Sequence, residues 1–215
     1  TTYQNIAPHL SAIYNWEGTT EGPFGPEIKN WSPIYAGAGI DKSVGGYKGI
    51  NEYIEAYNNW PTKVKPDGSL TTLTTPLNKM SATNGLGLFG AFYHKNKGFI
   101  EVDYQNRTAK SEGGGADWDK AFKFSSHTIG VSYFKSKKLE PTFMKFYSGW
   151  GLHFQTGGVS QKNSFTDEKW EKWGNGITAG LSYNLGVFIN PIKNVPVMIG
   201  AKAYAQFNFL NYDVN

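Results

Sequence analysis

Along much of the chain, apolar and polar residues trade places with a period of two. From Ile177 to Ile189 the odd positions are Ile177, Ala179, Leu181, Tyr183, Leu185, Val187 and Ile189, while Thr178, Gly180, Ser182, Asn184 and Gly186 fill the even ones. Val197 to Phe209 repeats the pattern, with Ile199, Ala201, Ala203, Ala205 and Phe207 opposed to Gly200, Lys202, Tyr204, Gln206 and Asn208. Met144 to Gln155, Ile100 to Arg107, Thr128 to Tyr133 and Ile34 to Asp41 alternate likewise. A seventh stretch, Leu86 to Tyr93, is apolar and Gly-rich on both faces, so it predicts a strand without assigning its sides. A period of two is the pleat of a β-strand, whose successive side chains point to opposite faces. The pattern predicts an all-β, antiparallel protein. Several stretches reach the roughly 9 to 11 residues with which a tilted strand crosses the hydrocarbon layer.

Two architectures share this pattern. In a soluble barrel or sandwich the apolar faces converge inside and the polar faces meet water; in a membrane barrel the sides are exchanged. The polar faces decide between them, because they carry Gly, Ser, Thr and Asn between single charges rather than long solvated side chains. Small residues suit the interior of a barrel of about eight strands, which is only just wide enough for side chains to fill. Glu101, Asp103, Arg107, Lys145 and Lys202 supply both signs of charge and are predicted to form a polar cluster in that lumen. Aromatic pairs near strand ends, Tyr133 with Phe134, Tyr147 with Trp150 and Trp170 with Trp173, predict girdles at the membrane interfaces.

The connections alternate in length. Long ones run from Lys42 to about Ala82, Lys110 to Lys120 and Thr156 to Lys172; short ones are Lys95 to Lys97, Lys137 to Pro141 and Asn190 to Asn194. Short turns at one end and long loops at the other characterise outer-membrane barrels. On these features, over roughly Ile34 to Phe209, the chain resembles the small bacterial outer-membrane barrels grouped with the OmpA transmembrane domain. The resemblance implies an up-and-down transmembrane β-barrel in the bacterial outer membrane, with long extracellular loops and an even number of strands. Seven strands are legible; the eighth is expected from Leu10 to Trp16, from Leu70 to Leu77, or from a strand following Asn215. Either of the first two would place both ends of the chain outside. Residues 1–33, punctuated by Pro8, Pro23, Pro26 and Pro33, read as an extended N-terminal arm, leaving 34–215 as the barrel.

Within the first long loop, Ile50, Tyr53, Ile54 and Tyr57 recur at helical spacing before Pro61, predicting a short helix that caps the barrel mouth or offers a partner-binding face. The mean hydropathy of −0.46 and the short apolar runs exclude a membrane-spanning helix. The Thr-Thr-Tyr-Gln-Asn start lacks a signal peptide's pattern, so an export signal is expected to have been removed or to lie outside this sequence. With no Cys there is no disulfide scaffold and no thiolate metal site. A net charge of +4 from interspersed residues gives nucleic-acid binding little support.

Chemistry is sparse. Ser125 and His127 stand two residues apart on one strand face, which matches, in residue types alone, the Ser/His pair that lipid A deacylases carry on a lipid-facing wall. Glu112, Asp117 and Asp119 could offer oxygens to a hard cation, without the EF-hand spacing. Solvated loop residues are the simpler reading of the acids. The Gly-rich tracts match no phosphate-binding fingerprint, and no cofactor is expected. The expected function is therefore non-enzymatic: a structural, docking or accessory subunit among outer-membrane lipid, lipopolysaccharide and other outer-membrane proteins. A narrow porin-like channel and a lipid-modifying enzyme are the alternatives.

Overall fold

The computed structural model describes residues 2–12, 34–44, 47–65, 67–94, 98–138, 144–164, 167–189 and 197–209. In chain order its elements are β1 (Thr2–Ala12), β2 (Ile34–Val44), α1 (Lys48–Asn59), β3 (Thr62–Val64), β4 (Leu70–Thr72), β5 (Ala82–His94), β6 (Gly98–Gly114), β7 (Asp119–Lys138), β8 (Met144–Asn163), β9 (Asp167–Ile189) and β10 (Val197–Asn208). Eight of the strands close into one antiparallel barrel in the order β1-β10-β9-β8-β7-β6-β5-β2, while β3 and β4 form a separate small hairpin.

The alternation resolves into an inside and an outside. On β6, Ile100, Val102 and Tyr104 are exposed while Glu101, Asp103, Gln105 and Arg107 are buried. Leu86 is 68% and Phe154 62% exposed, whereas Glu101 and Arg107 are each 2% exposed. A soluble protein does the reverse. The inverted sides rule out the soluble barrel, and they give β5 the sidedness its sequence withholds: Leu86, Leu88 and Phe92 face out, Thr83 and Ala91 in. No helix among the described residues is long and apolar enough to cross a membrane. The strands do so instead, because a closed barrel satisfies every backbone group without water. The chain is an outer-membrane β-barrel.

Three expectations are corrected. The N-terminal arm of 1–33 is a strand over Thr2–Ala12, which pairs with β10 and β2 and closes the barrel; 13–33 lies outside the described residues. Only Leu10 to Ala12 of the expected eighth strand lies in it, and Leu70–Thr72 belongs to the hairpin instead. Because Thr2 pairs with Phe207 and Gln4 with Val44, β1 begins, and β10 ends, at the end of the barrel from which the helical loop departs.

The second correction concerns loops. The segments from Lys110 and from Thr156 are mostly continued strand: β6 and β7 pair up to Gly114 with Asp119, and β8 and β9 up to Asn163 with Asp167. The 20 residues of β7 extend roughly 66 Å and, tilted by about 40°, rise about 50 Å. The hydrocarbon layer is only about 30 Å thick. Strands β6 to β9 therefore continue as a wall beyond the bilayer, twisted by irregularities between Val159 and Ser160 and between Gln161 and Asn163.

Third, the expected aromatic girdles divide between two faces. Adjacent residues in a strand point opposite ways, so Phe134 and Tyr147 turn into the lumen while Tyr133 and Trp150 face lipid.

Candidate functional site

The described lumen side chains stand in three layers. At mid-height, Lys202 on β10 reaches Glu101 on β6 with 2.6 Å between Nζ and Oε1. These strands stand four places apart in the ring, so the pair spans the barrel. Arg107 of β6 donates to Asp41 on β2, to Gln105 and to the Tyr204 hydroxyl on β10. Tyr204 in turn donates to Asp41 at 2.9 Å, and the Gln105 amide to Asp103 at 2.9 Å. Glu101, Asp103, Arg107 and Lys202 are all buried inside the barrel: Lys202 pairs with Glu101, and Gln105 links Asp103 to Arg107. The side chain of Lys145 lies outside the described residues. Asp41, Gln105 and Tyr204 are added; their polar-face parity is visible in sequence, but only the register brings three separate strands to one level.

Towards the short-turn end, aromatic rings from neighbouring strands pack together inside the lumen. Phe99 stacks on Phe134 at 4.7 Å and Tyr147 on Phe188 at 4.8 Å, with Phe134 and Tyr147 edge to face at 5.1 Å. Ala91 completes this cluster. Tyr147 also lies directly over Gly186, where a Cβ would run into the ring.

Towards the outer end, α1 closes the mouth. Its apolar stripe turns inward: Ile54 is fully buried and packs with Tyr47, Leu77, Met80, Ala109, Phe122 and Val159, and Ile50 and Tyr57 lie against the same cluster. Tyr53 meets Trp173 at 4.6 Å and Phe122 at 5.5 Å. Ile50, Tyr53, Ile54 and Tyr57 are therefore engaged within the chain; this corrects their reading as partner-binding residues, because the barrel's own mouth occupies that helix face. Two asparagines fasten the following segment. Asn51 donates to the Met80 carbonyl at 2.7 Å and accepts from its N–H at 2.8 Å; Asn58 does the same for Leu77 at 2.9 Å each.

Lys63 holds the helix end. Its Nζ lies 3.7 Å from the centre of the Tyr57 ring and donates to the carbonyls of Tyr57, at 2.6 Å, and Trp60. A cation at these last carbonyls complements the helix dipole. Burial pushes the Tyr57 phenol up to about 12 and also raises that of Tyr53, while it lowers the Lys63 ammonium.

The candidates for chemistry do not converge. Ser125 and His127 share the outer wall, but the group beside His127 is the Tyr104 hydroxyl, 2.7 Å from Nδ1, and no hydrogen bond among the described residues joins the histidine to Ser125. Glu112, Asp117 and Asp119 are all exposed, and Asp117 pairs with Lys65. The described residues contain no group of three metal-ligating side chains, which corrects the cation site; the loop that was to gather these acids is drawn out into strands.

No protein-family model matches the chain, and no curated protein matches it. Among solved structures it is similar to Ail, the attachment invasion locus protein of Yersinia pestis. In the complex of Ail with the heparin analogue sucrose octasulfate, identity is 14%, each chain is covered over 97% and the TM-score is 0.33. A second Ail structure gives 14% identity, the same 97% coverage of each chain and a TM-score of 0.27. Likeness this distant decides neither activity nor ligand.

Proposed function

We propose that this barrel is a non-conducting structural and docking protein of the outer membrane, held rigid by its filled lumen and presenting its outer hairpin to another outer-membrane protein. One observation carries the reading. The β3–β4 hairpin, on the loop that caps the barrel, displays Trp60, Val64 and Leu70 at 69 to 75% exposure, and Val64 and Leu70 are direct cross-strand neighbours. The hairpin is tied to the rest of the outer surface: Thr74 and Thr75 donate to the Gly114 carbonyl, and Trp118 donates to Thr71 at 3.1 Å. A fixed, solvent-facing apolar patch of this kind is characteristic of a protein contact.

The channel reading has against it a lumen that holds an apolar cluster towards each end and buried ion pairs between them. For lipid modification, the Ser125/His127 wall has no joined nucleophile and base. The deciding experiment is co-purification from detergent-extracted membranes. The native chain should bring a stoichiometric outer-membrane partner, and Trp60→Ser with Leu70→Ser should lose it while the barrel still folds. Retention of the same partner by the double variant would end the docking reading. Unchanged lipid A in mass spectra, with and without the protein, would retire the enzymatic one.

A further inference from the structure

The wall of β6 to β9 beyond the bilayer carries a row of like charges on its outward face. Lys110 on β6 stands directly opposite Lys123 on β7; Lys123 faces Ser160 on β8, and Ser160 faces Lys172 on β9. Lys162 follows two residues further out on β8, on the same face. Like charges directly opposed across a ladder destabilise it. Yet none of these four lysines is ion-paired to a carboxylate among the described residues, although four other lysines and an arginine are. Lys110 and Lys172 are exposed, and Lys123 has only the face of Trp170, 6.0 Å from its Nζ. Trp170 is itself 40% exposed.

The height of the row identifies its counter-charge. The last apolar lipid-facing residues on β6, β7 and β8 are Tyr104, Ile129 and Phe154, and Tyr104 pairs with Ile129 and Ile129 with Phe154. The row of Lys110, Lys123 and Ser160 runs parallel to them, six residues further out on each strand. Six residues are roughly 20 Å of strand, or about 15 Å of height at a tilt near 40°. Lysines so placed bend their ammonium groups back towards the interface along their methylene stems. That brings the ammonium groups down towards the headgroups that bear sugars and phosphates.

We infer that Lys110, Lys123 and Lys172, with Lys162, form a binding site for the phosphates of a phosphorylated glycolipid of the outer leaflet, with Trp170 against its sugar. The site rests on the lipid-facing placement of these strands and is independent of the docking role.

The test uses the whole chain, refolded into nanodiscs of neutral phosphatidylcholine and titrated with lipid A bearing both its phosphates. Each lysine beside an anionic surface contributes about 1 kcal/mol, or about fivefold. Lys110→Gln, Lys123→Gln and Lys172→Gln together should therefore weaken binding by at least roughly tenfold. Lys48→Gln with Lys79→Gln on the cap, a smaller loss of charge remote from the row, should leave it unchanged. Dephosphorylated lipid A should bind both forms equally weakly, and inorganic phosphate should not compete. Lys172→Glu alone, at an exposed strand position, serves where the triple variant folds poorly and should weaken binding at least about fivefold. Native-like binding by the folded triple variant or by Lys172→Glu, equal loss in the cap variant, or displacement by inorganic phosphate would each overturn the site.

Discussion

Lys202 and Glu101 meet across the lumen with almost no access to water. Removing one partner strands the other charge, and such a break costs roughly 3 to 5 kcal/mol. Glu101→Gln should accordingly lower the urea midpoint of barrel unfolding in detergent. Replacing both, as Glu101→Leu with Lys202→Met, should recover most of that loss or exceed the native stability, since a packed apolar pair avoids the desolvation of two ions. A double variant as unstable as the single one would mean that the rest of the network depends on these charges. A tighter constraint sits below, where the Tyr147 ring occupies the space over Gly186. Gly186→Val should cost about 1 to 3 kcal/mol by overpacking and should disturb the Tyr147–Phe188 stack, which near-ultraviolet circular dichroism reads directly.

The fastenings of α1 can be separated. Asn51→Ala leaves the Met80 N–H and carbonyl without their partner, at a cost of roughly 1 to 3 kcal/mol; hydrogen exchange at Met80 should accelerate while Leu77, held by Asn58, keeps its protection. Alkali should act on the same cap. The Tyr53 and Tyr57 phenols are raised above 10.0 by burial, so the unfolded chain ionises them first. The stability they lend is complete below pH 10.0 and is lost as pH rises towards about 12. Tyr53→Phe with Tyr57→Phe should remove that decline, as followed by Trp173 fluorescence. The helix itself is readable from its spacing and from Pro61, which ends it one turn early enough for Lys63 to cap it. The long outer extensions of β6 to β9 were not readable. Gly113, Gly114 and Gly115 and the mixed charges around Trp170 have the composition of loops, and only cross-strand pairing with already aligned neighbours carries the ladder through them.

For the whole molecule the lumen holds two apolar clusters in series with buried ion pairs between. Planar-bilayer recordings of the native protein should show no steady current. Replacing α1 by a flexible linker should open the mouth without producing one, because the Phe99, Phe134, Tyr147 and Phe188 rings still fill the other end. A current in that variant would show that the aromatic layer does not close the barrel.

Seven of the eight barrel strands, and the face that meets oil on six of them, follow from the sequence alone, because a period of two is a local property of the backbone and small polar residues are what a narrow interior admits. Closure by β1, the meeting of Asp41, Arg107 and Tyr204, and the row of Lys110, Lys123 and Lys172 were decided by tertiary structure. Each depends on which strand lies beside which and at what register, and pairing between strands distant in the chain leaves no periodicity in either.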